Sequence, residues 1–134
     1  MIIEEGNSFR IERDDDGDTL VVTDWWTDTI SRLLAEGRAD GLDLNYARGF
    51  KDTDLAFLQD WPLKRLKILA RTIKDLSPIS RLSGTLIALS VETAPNAQID
   101  LGGFPDLTAL SAIWSQVHSS VPQAPQLRDL YLSL

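Results

Sequence analysis

The sequence contains no cysteine, a single histidine and no long run of apolar residues. Without cysteine, the chain can form no disulfide, no thiolate metal site and no cysteine nucleophile. A membrane-spanning helix needs about 18 consecutive apolar residues. The first ten residues carry Glu4 and Glu5 where a secretory signal would carry basic residues. Because small extracellular domains usually depend on disulfides, these absences favour a cytoplasmic protein.

Charge is distributed unevenly along this acidic chain of 134 residues, a length that fits one compact domain. The net charge is −7, and residues 1–60 hold 15 acidic and 6 basic residues. Residues 64–81 hold six basic residues and one acid, Asp75. Nucleic-acid binding requires a broad basic surface. We therefore expect neither a nucleic-acid partner nor a membrane partner.

A leucine pattern recurs along most of the chain. The pattern L-x-x-L-x-L, with other apolar residues at some positions, starts at Leu63, Leu86, Leu107 and Leu127, and a weaker copy starts at Ala39. The alternation inside each copy predicts a short strand with its leucines on one face. The successive spacings of 24, 23, 21 and 20 residues are nearly constant. An α+β domain with leucines at these positions by chance is the alternative, and the regular spacing weighs against it.

Residues 63–92 resemble the short, internalin-like leucine-rich repeats of bacterial proteins, and D-L-S-P-I-S at 75–80 is similar to their return segment. The resemblance covers roughly residues 39–134 and implies an α/β solenoid, with a parallel β-sheet on its concave face that recognises another protein. One departure is clear, because the family usually places Asn five residues after the second leucine. Those positions hold Ala47, Arg71, Ala94 and Ser115, so we expect less regular turns.

Residues 1–38 are predicted to cap one end of the repeats with a β-hairpin and a helix. Two alternating segments, SFRIER and TLVVT, flank the turn DDDGD, in which Gly17 provides a positive φ. A helix is predicted from an N-cap at Asp24 to a stop at Gly37. Its apolar face is predicted to contain Trp26, Ile30, Leu33 and Leu34.

The fifth copy of the pattern, at 127–134, is predicted to form a strand with an uncovered edge. An unpaired strand edge is a template for pairing with another chain. Either the chain associates with a second copy through this strand, or the sequence is a fragment of a longer protein. We expect self-association, that is, a homodimer formed through the C-terminal strand.

Other motifs fit structural roles better than chemical ones. Segment 12–17 is similar to a D-x-D-x-D-G calcium loop, but Thr23 stands where a bidentate Glu is needed. The lone His118 cannot form a typical zinc site without cysteines. The adjacent Trp25 and Trp26 are expected mainly to be buried, with one of them partly exposed. We expect no metal site, no cofactor and no catalytic residue.

The side chains between and just after the strand leucines are predicted to lie on the concave face. Exposed aromatic residues flanked by charge are typical of protein-interface hot spots. An alternative is that two of these residues, Ile113 and Trp114, fold back over the neighbouring repeat. The candidate protein-binding residues are Asp43, Asn45, Tyr46, Arg65, Lys67, Leu69, Glu92, Ile113, Trp114 and Tyr131.

The sequence therefore favours a non-enzymatic protein-binding module. A sharper version of this hypothesis is an inhibitor or immunity-type protein that blocks a basic partner, because the chain is small and acidic. Two alternatives remain: a self-assembling structural element that uses the C-terminal strand, and a small carboxylate-dependent enzyme.

Overall fold

The computed structural model describes residues 1–117 and 124–133, and one eight-stranded sheet runs through them. Among the described residues, the helices are α1 (Asp28–Ala35) and α2 (Trp114–Val117), and short 3₁₀ helices lie at Tyr46–Arg48, Ser77–Leu82 and Leu101–Gly103. The strands are β1 (Ile2–Glu5), β2 (Phe9–Asp14), β3 (Gly17–Val22), β4 (Gly41–Asn45), β5 (Arg65–Leu69), β6 (Ala88–Glu92), β7 (Ala109–Ile113) and β8 (Asp129–Ser133).

The strands lie in the sheet in the same order as in the chain. The strands β1, β2 and β3 pair antiparallel, whereas every pair from β3 to β8 is parallel. Each strand from β4 to β8 begins two residues after a predicted repeat start. The prediction of a parallel sheet from these repeats is therefore confirmed. The two predicted parts of the chain share this sheet, since β3 pairs with β4 across residue 38.

The register aligns equivalent leucines of successive strands. Leu42, Leu66, Leu89 and Leu110 stand side by side, and each is at most 3% exposed. The next inward position holds Leu44, Ile68, Val91 and Ala112, which are also buried. Because side chains alternate along a strand, these two rows form one apolar face of the sheet. The core lies between this face and the segments that connect the strands.

A second repeated motif, Asp-Leu-x-x-apolar, builds those connecting segments. An Asp at position 54, 75 or 100 accepts a hydrogen bond from the backbone N–H two residues later, at 2.9 to 3.0 Å. Such a bond fixes a tight turn. The leucine after each Asp and the apolar residue three positions further are then buried. These pairs are Leu55 and Leu58, Leu76 and Ile79, and Leu101 and Phe104.

Other hydrogen bonds connect the turns where the family's Asn is absent. The Ala94 N–H donates to the carbonyl of Ile73 at 3.0 Å. Gln116 is fully buried, and its Nε2 donates to the Thr93 hydroxyl at 2.7 Å and to the Ala94 carbonyl at 3.1 Å. This buried amide thus connects the segment after β7 to the segment after β6.

The N-terminal hairpin and helix agree with the prediction in outline but differ in detail. The strands β2 and β3 form the hairpin, with Gly17 at φ 126°. The prediction that Asp24 is the N-cap is wrong. Thr27 caps α1, and its hydroxyl accepts a hydrogen bond from the Ile30 N–H at 3.4 Å. The Asp24 carboxylate instead accepts from the Trp25 N–H and pairs with Lys51 at 3.3 Å, so it is engaged before the helix begins.

The adjacent tryptophans have different environments. The Trp26 ring stacks on Phe57, with ring centroids 3.9 Å apart, and also on Trp61 at 5.7 Å. Trp25 is 57% exposed and Trp26 is half-buried against the core, so the expectation that one of the two packs and the other is partly exposed is confirmed. The strand β1 was not predicted, since its residues are mostly exposed and show no apolar alternation. In the described part of the chain, no helix is long and apolar enough to cross a membrane.

The register can be tested by a pair of neighbouring substitutions on β5. Leu66→Ala removes a buried side chain and should lower the free energy of unfolding by about 3 kcal/mol. Lys67→Ala removes an exposed side chain and should change it by less than about 0.5 kcal/mol. Equilibrium urea denaturation measures both variants. Equal losses would contradict the assignment of Leu66 to the core face and Lys67 to the opposite face.

Candidate protein-binding surface

The face of the sheet opposite the core carries a groove of about 890 Å³, lined by residues from β2 to β8. We call this side of the sheet the open face. Its central row follows from the register and contains Asp43, Lys67, Ser90, Ser111 and Tyr131. Each of these residues lies between two core-facing positions, so strand alternation directs its side chain away from the core. The same alternation that builds the core therefore also builds the groove.

Small side chains form the floor of the groove. Ala88 and Ser90 on β6 lie beside Ala109 and Ser111 on β7, and all four line the groove. Longer side chains stand at both ends of this floor, with Lys67 on one side and Tyr131 on the other. The groove is therefore deepest over β6 and β7, and it is bordered by charged and aromatic groups.

An arginine network forms the end of the groove near the hairpin. The Arg48 guanidinium donates to the Glu12 carboxylate at 2.7 Å and to the Asp43 carboxylate at 2.9 Å. Glu12 lies on β2 and Asp43 on β4, so this guanidinium crosses the open face of β3. Val21 of β3 is paired with Asp43 and is fully buried, although it faces away from the core. Val21 is thus buried beneath this network, in which Arg48 pairs with two acids.

The network shifts the pKa of Glu12. Burial raises the pKa of its carboxyl group, but hydrogen bonds and charges of Arg48 and Arg10 lower it by more, so the net pKa lies below the ordinary value of 4.5. The Arg10 bond measures 2.6 Å. A lowered pKa means that the ionised carboxylate stabilises the folded protein. Glu12 is therefore held as an anion at neutral pH.

Arg65 is fixed beside this network by the backbone and by its neighbours. Its guanidinium pairs with Asp40 and donates to the Thr19 hydroxyl at 3.2 Å and to the Asp18 carbonyl at 3.1 Å. A Cβ atom at position 41 would lie 2.9 Å from the Arg65 Nη2 and 2.8 Å from the Thr19 hydroxyl, so glycine makes this approach possible. Arg65 serves as a fixed wall of the groove rather than as a free cation.

Several groove residues keep their charged or polar ends available. Lys67 and Arg128 form no ion pair within the described residues, and neither do Asp14 and Asp16. Tyr131 is 70% exposed. These groups can contact a partner without first breaking an internal ion pair.

The structure divides the ten predicted site residues into two groups. Asp43, Arg65, Lys67 and Tyr131 line the groove. The others lie beyond it, at or just after the carboxyl ends of the strands. These are Asn45, Tyr46, Leu69, Glu92, Ile113 and Trp114.

This second group is partly engaged in local structure. The Asn45 side chain caps the 3₁₀ helix at Tyr46–Arg48, and Glu92 pairs with Arg71 at 2.7 Å. Tyr46 is 57% exposed, whereas Leu69 and Ile113 are half-buried. The backbone of Trp114 begins α2, but its side chain and all of His118 lie outside the described residues.

Sequence reasoning missed the contribution of the hairpin to the groove. Glu12, Asp14 and Asp16 line it, although their segment was interpreted only as a cap and a turn. Asp14 accepts from the Asp16 N–H at 2.8 Å, which is the bond of a tight turn. Arg48 was also missed, because nothing in the local sequence indicates that it crosses β3.

In the described part of the chain, no group of three His, Asp or Glu side chains lies close enough together to hold a metal ion.

The Glu12 network predicts a specific dependence of stability on pH. Because the folded pKa of Glu12 is lowered, its contribution is present above pH 4.5 and is lost as the pH falls through the lowered value. Glu12→Gln should therefore lose less stability than the wild type between pH 5 and about pH 3. Urea denaturation at a series of pH values measures this difference. Glu5→Gln, an exposed change on β1, is the control and should follow the wild type.

A comparison of this chain with protein-family models, with curated proteins and with solved structures finds no match. The fold and the groove are therefore described from this chain alone.

Proposed function

We propose that this chain is a non-enzymatic protein-binding module built as a short leucine-rich-repeat solenoid. Residues 39–134 would supply about five repeats and residues 1–38 the hairpin-helix cap. The in-register parallel strands β4 to β8 and the repeated Asp-Leu turns support the repeat assignment. The lack of cysteine supports a cytoplasmic location.

The observation that carries the functional proposal is the groove on the open face. The side chains that form its floor are small. On one side of this floor stands the ammonium group of Lys67, which forms no ion pair within the described residues, and on the other side stands the exposed aromatic ring of Tyr131. Tyrosine at the edge of a pocket offers a large rigid contact area together with a hydroxyl group. A regular sheet holds these groups at fixed positions, so this chain itself loses little conformational entropy on binding.

The charge of the chain favours a basic partner. The net charge is −7, and most of the acids precede residue 61, in the part that forms the hairpin end of the groove. Opposite charge accelerates the encounter of two proteins and makes their association sensitive to salt. An inhibitor or immunity-type protein that covers a basic protein surface fits this charge.

The carboxylates of the groove support binding better than acid-base catalysis. A general acid at neutral pH needs a raised pKa, but the pKa of Glu12 is lowered. Asp43 is bonded to Arg48 through one oxygen. We therefore rank the carboxylate-dependent enzyme below the binding module.

Self-assembly through β8 is a second candidate function, and the exposure of that strand favours it. Leu130 is 47% exposed and Tyr131 is 70% exposed, and within the described residues β8 pairs only with β7. The mass of the purified protein at micromolar concentration, measured by light scattering, tests this candidate. A dimer is expected if β8 pairs with a second copy, and a strictly monomeric mass would contradict it.

Affinity capture from the native cell tests the binding proposal. We expect the wild type to retain a partner protein. The double variant Lys67→Ala and Tyr131→Ala should retain at least about thirtyfold less of this protein, as expected for loss of an interface hot spot. The matched control replaces Lys74 and Trp25, which are exposed outside the groove and are not among the predicted binding residues, by Ala. Equal capture by the wild type and both double variants would overturn the assignment of the groove as the binding site.

A further inference from the structure

Asp43 is an unusual residue for the open face, because it is buried. The residue is 5% exposed, although it lies in the central row of the groove. One carboxylate oxygen accepts from Arg48 at 2.9 Å. The other oxygen, Oδ1, has no hydrogen-bond partner among the described residues. A buried acceptor without a donor is costly, and such groups in native proteins call for a specific explanation.

The surroundings of Asp43 are built for a cation. Arg48 bridges Asp43 and Glu12, and Glu12 also accepts from Arg10. Asp14 and Asp16 continue the acidic wall toward the turn of the hairpin. We call the pair Glu12 and Asp43, together with the space that the Arg48 guanidinium fills between them, the acidic notch.

Building on the proposed function, we propose that the acidic notch is the receptor for an arginine side chain of a basic protein partner, and that Arg48 holds this place in the free protein. The partner's guanidinium would bond to Glu12 and Asp43 as Arg48 does, with Oδ1 of Asp43 as an additional acceptor. Arg48 would then turn outward from the notch.

Arginine fits the notch better than lysine does. A guanidinium presents five N–H donors in a planar fork, which matches two carboxylates on different strands. An ammonium group is a compact point charge with no such plane. The acids also disfavour phosphate groups, which argues against a nucleic acid as the occupant.

An exchange of cations avoids the main cost of binding at a buried acid. If a ligand simply removed Arg48, the buried Asp43 would be left without its ion pair, and Glu12 would keep only its ion pair with Arg10. When a second guanidinium replaces the first, both carboxylates stay neutralised throughout. The exchange therefore needs only the rotation of one long side chain, which is 31% exposed in the free protein.

Calorimetric titration with a blocked hexa-arginine peptide tests the proposal. Arg48→Met empties the notch but keeps an unbranched apolar chain to cover Val21, so we expect it to bind the peptide about tenfold more tightly than the wild type. Adding Asp43→Asn to this variant should abolish the gain. Arg48→Gln, measured in parallel, should also bind more tightly than the wild type, and circular dichroism checks that each variant is folded.

Arg38→Met is the matched control. It also removes one positive charge and frees one carboxylate, that of Glu4, but both residues lie outside the groove. We expect its affinity for the peptide to stay within about twofold of the wild type at physiological ionic strength, where distant charges are screened. A hexa-lysine peptide should gain less than hexa-arginine from Arg48→Met.

The proposal is overturned if Arg48→Met binds no more tightly than Arg38→Met, or if Asp43→Asn leaves the gain intact. Such a result would leave the groove itself unaffected, because the capture experiment on Lys67 and Tyr131 does not depend on the notch. If the double variant at Lys67 and Tyr131 loses capture but Arg48→Met leaves the affinity for hexa-arginine unchanged, only the notch is rejected. If the double variant captures the partner as well as the wild type does, the groove is rejected as the binding site.

Discussion

The sheet depends on one hydrogen-bonding arrangement that recurs at the entrance of each repeated strand. The carbonyl of Asp40 accepts two successive N–H groups, from Lys64 and Arg65, at 2.8 and 3.1 Å. The carbonyls of Lys64, Ile87 and Thr108 accept two N–H groups from the following repeat in the same way, at 2.8 to 3.1 Å. These bonds place each strand at the same height as its neighbour. Equivalent leucines then align, and a shift of one residue would turn all of them to the open face.

This alignment separates the requirements of folding from those of binding. The core rows must be apolar, but the row between them contributes little to the core and can vary from Asp43 to Tyr131. The sheet therefore tolerates small residues at the floor of the groove and charged ones at its ends. The exception is the hairpin end, where Val21 and Asp43 are buried on the open face and depend on Arg48. At this place, binding and stability share the same side chains.

Period and spacing made the strands predictable, because each repeat buries its leucines by strand alternation alone. The five strand starts, the hairpin and the packing of Trp26 against the core could all be predicted from local pattern. The cap at Thr27 could not, because Asp24 is an equally good capping residue until its contact with Lys51 is known. The strand β1 has no apolar alternation, and Arg48 acts across β3 through a contact 36 residues away in sequence. The groove was predicted through its central row, whereas its hairpin wall required the three-dimensional arrangement.

The acidic notch explains how a groove can be selective without being unstable in the free protein. The buried Asp43 needs a cation, and Arg48 provides it from within the chain while it also pairs with Glu12, which Arg10 neutralises as well. A partner that brings its own guanidinium gains little from the exchange itself, since one ion pair replaces another. Its affinity must come from additional contacts, such as those at Lys67 and Tyr131, while the notch rejects partners that lack a correctly placed arginine. Selectivity would thus reside at the notch, and affinity in contacts that extend from Lys67 beside it to Tyr131 at the far end of the groove.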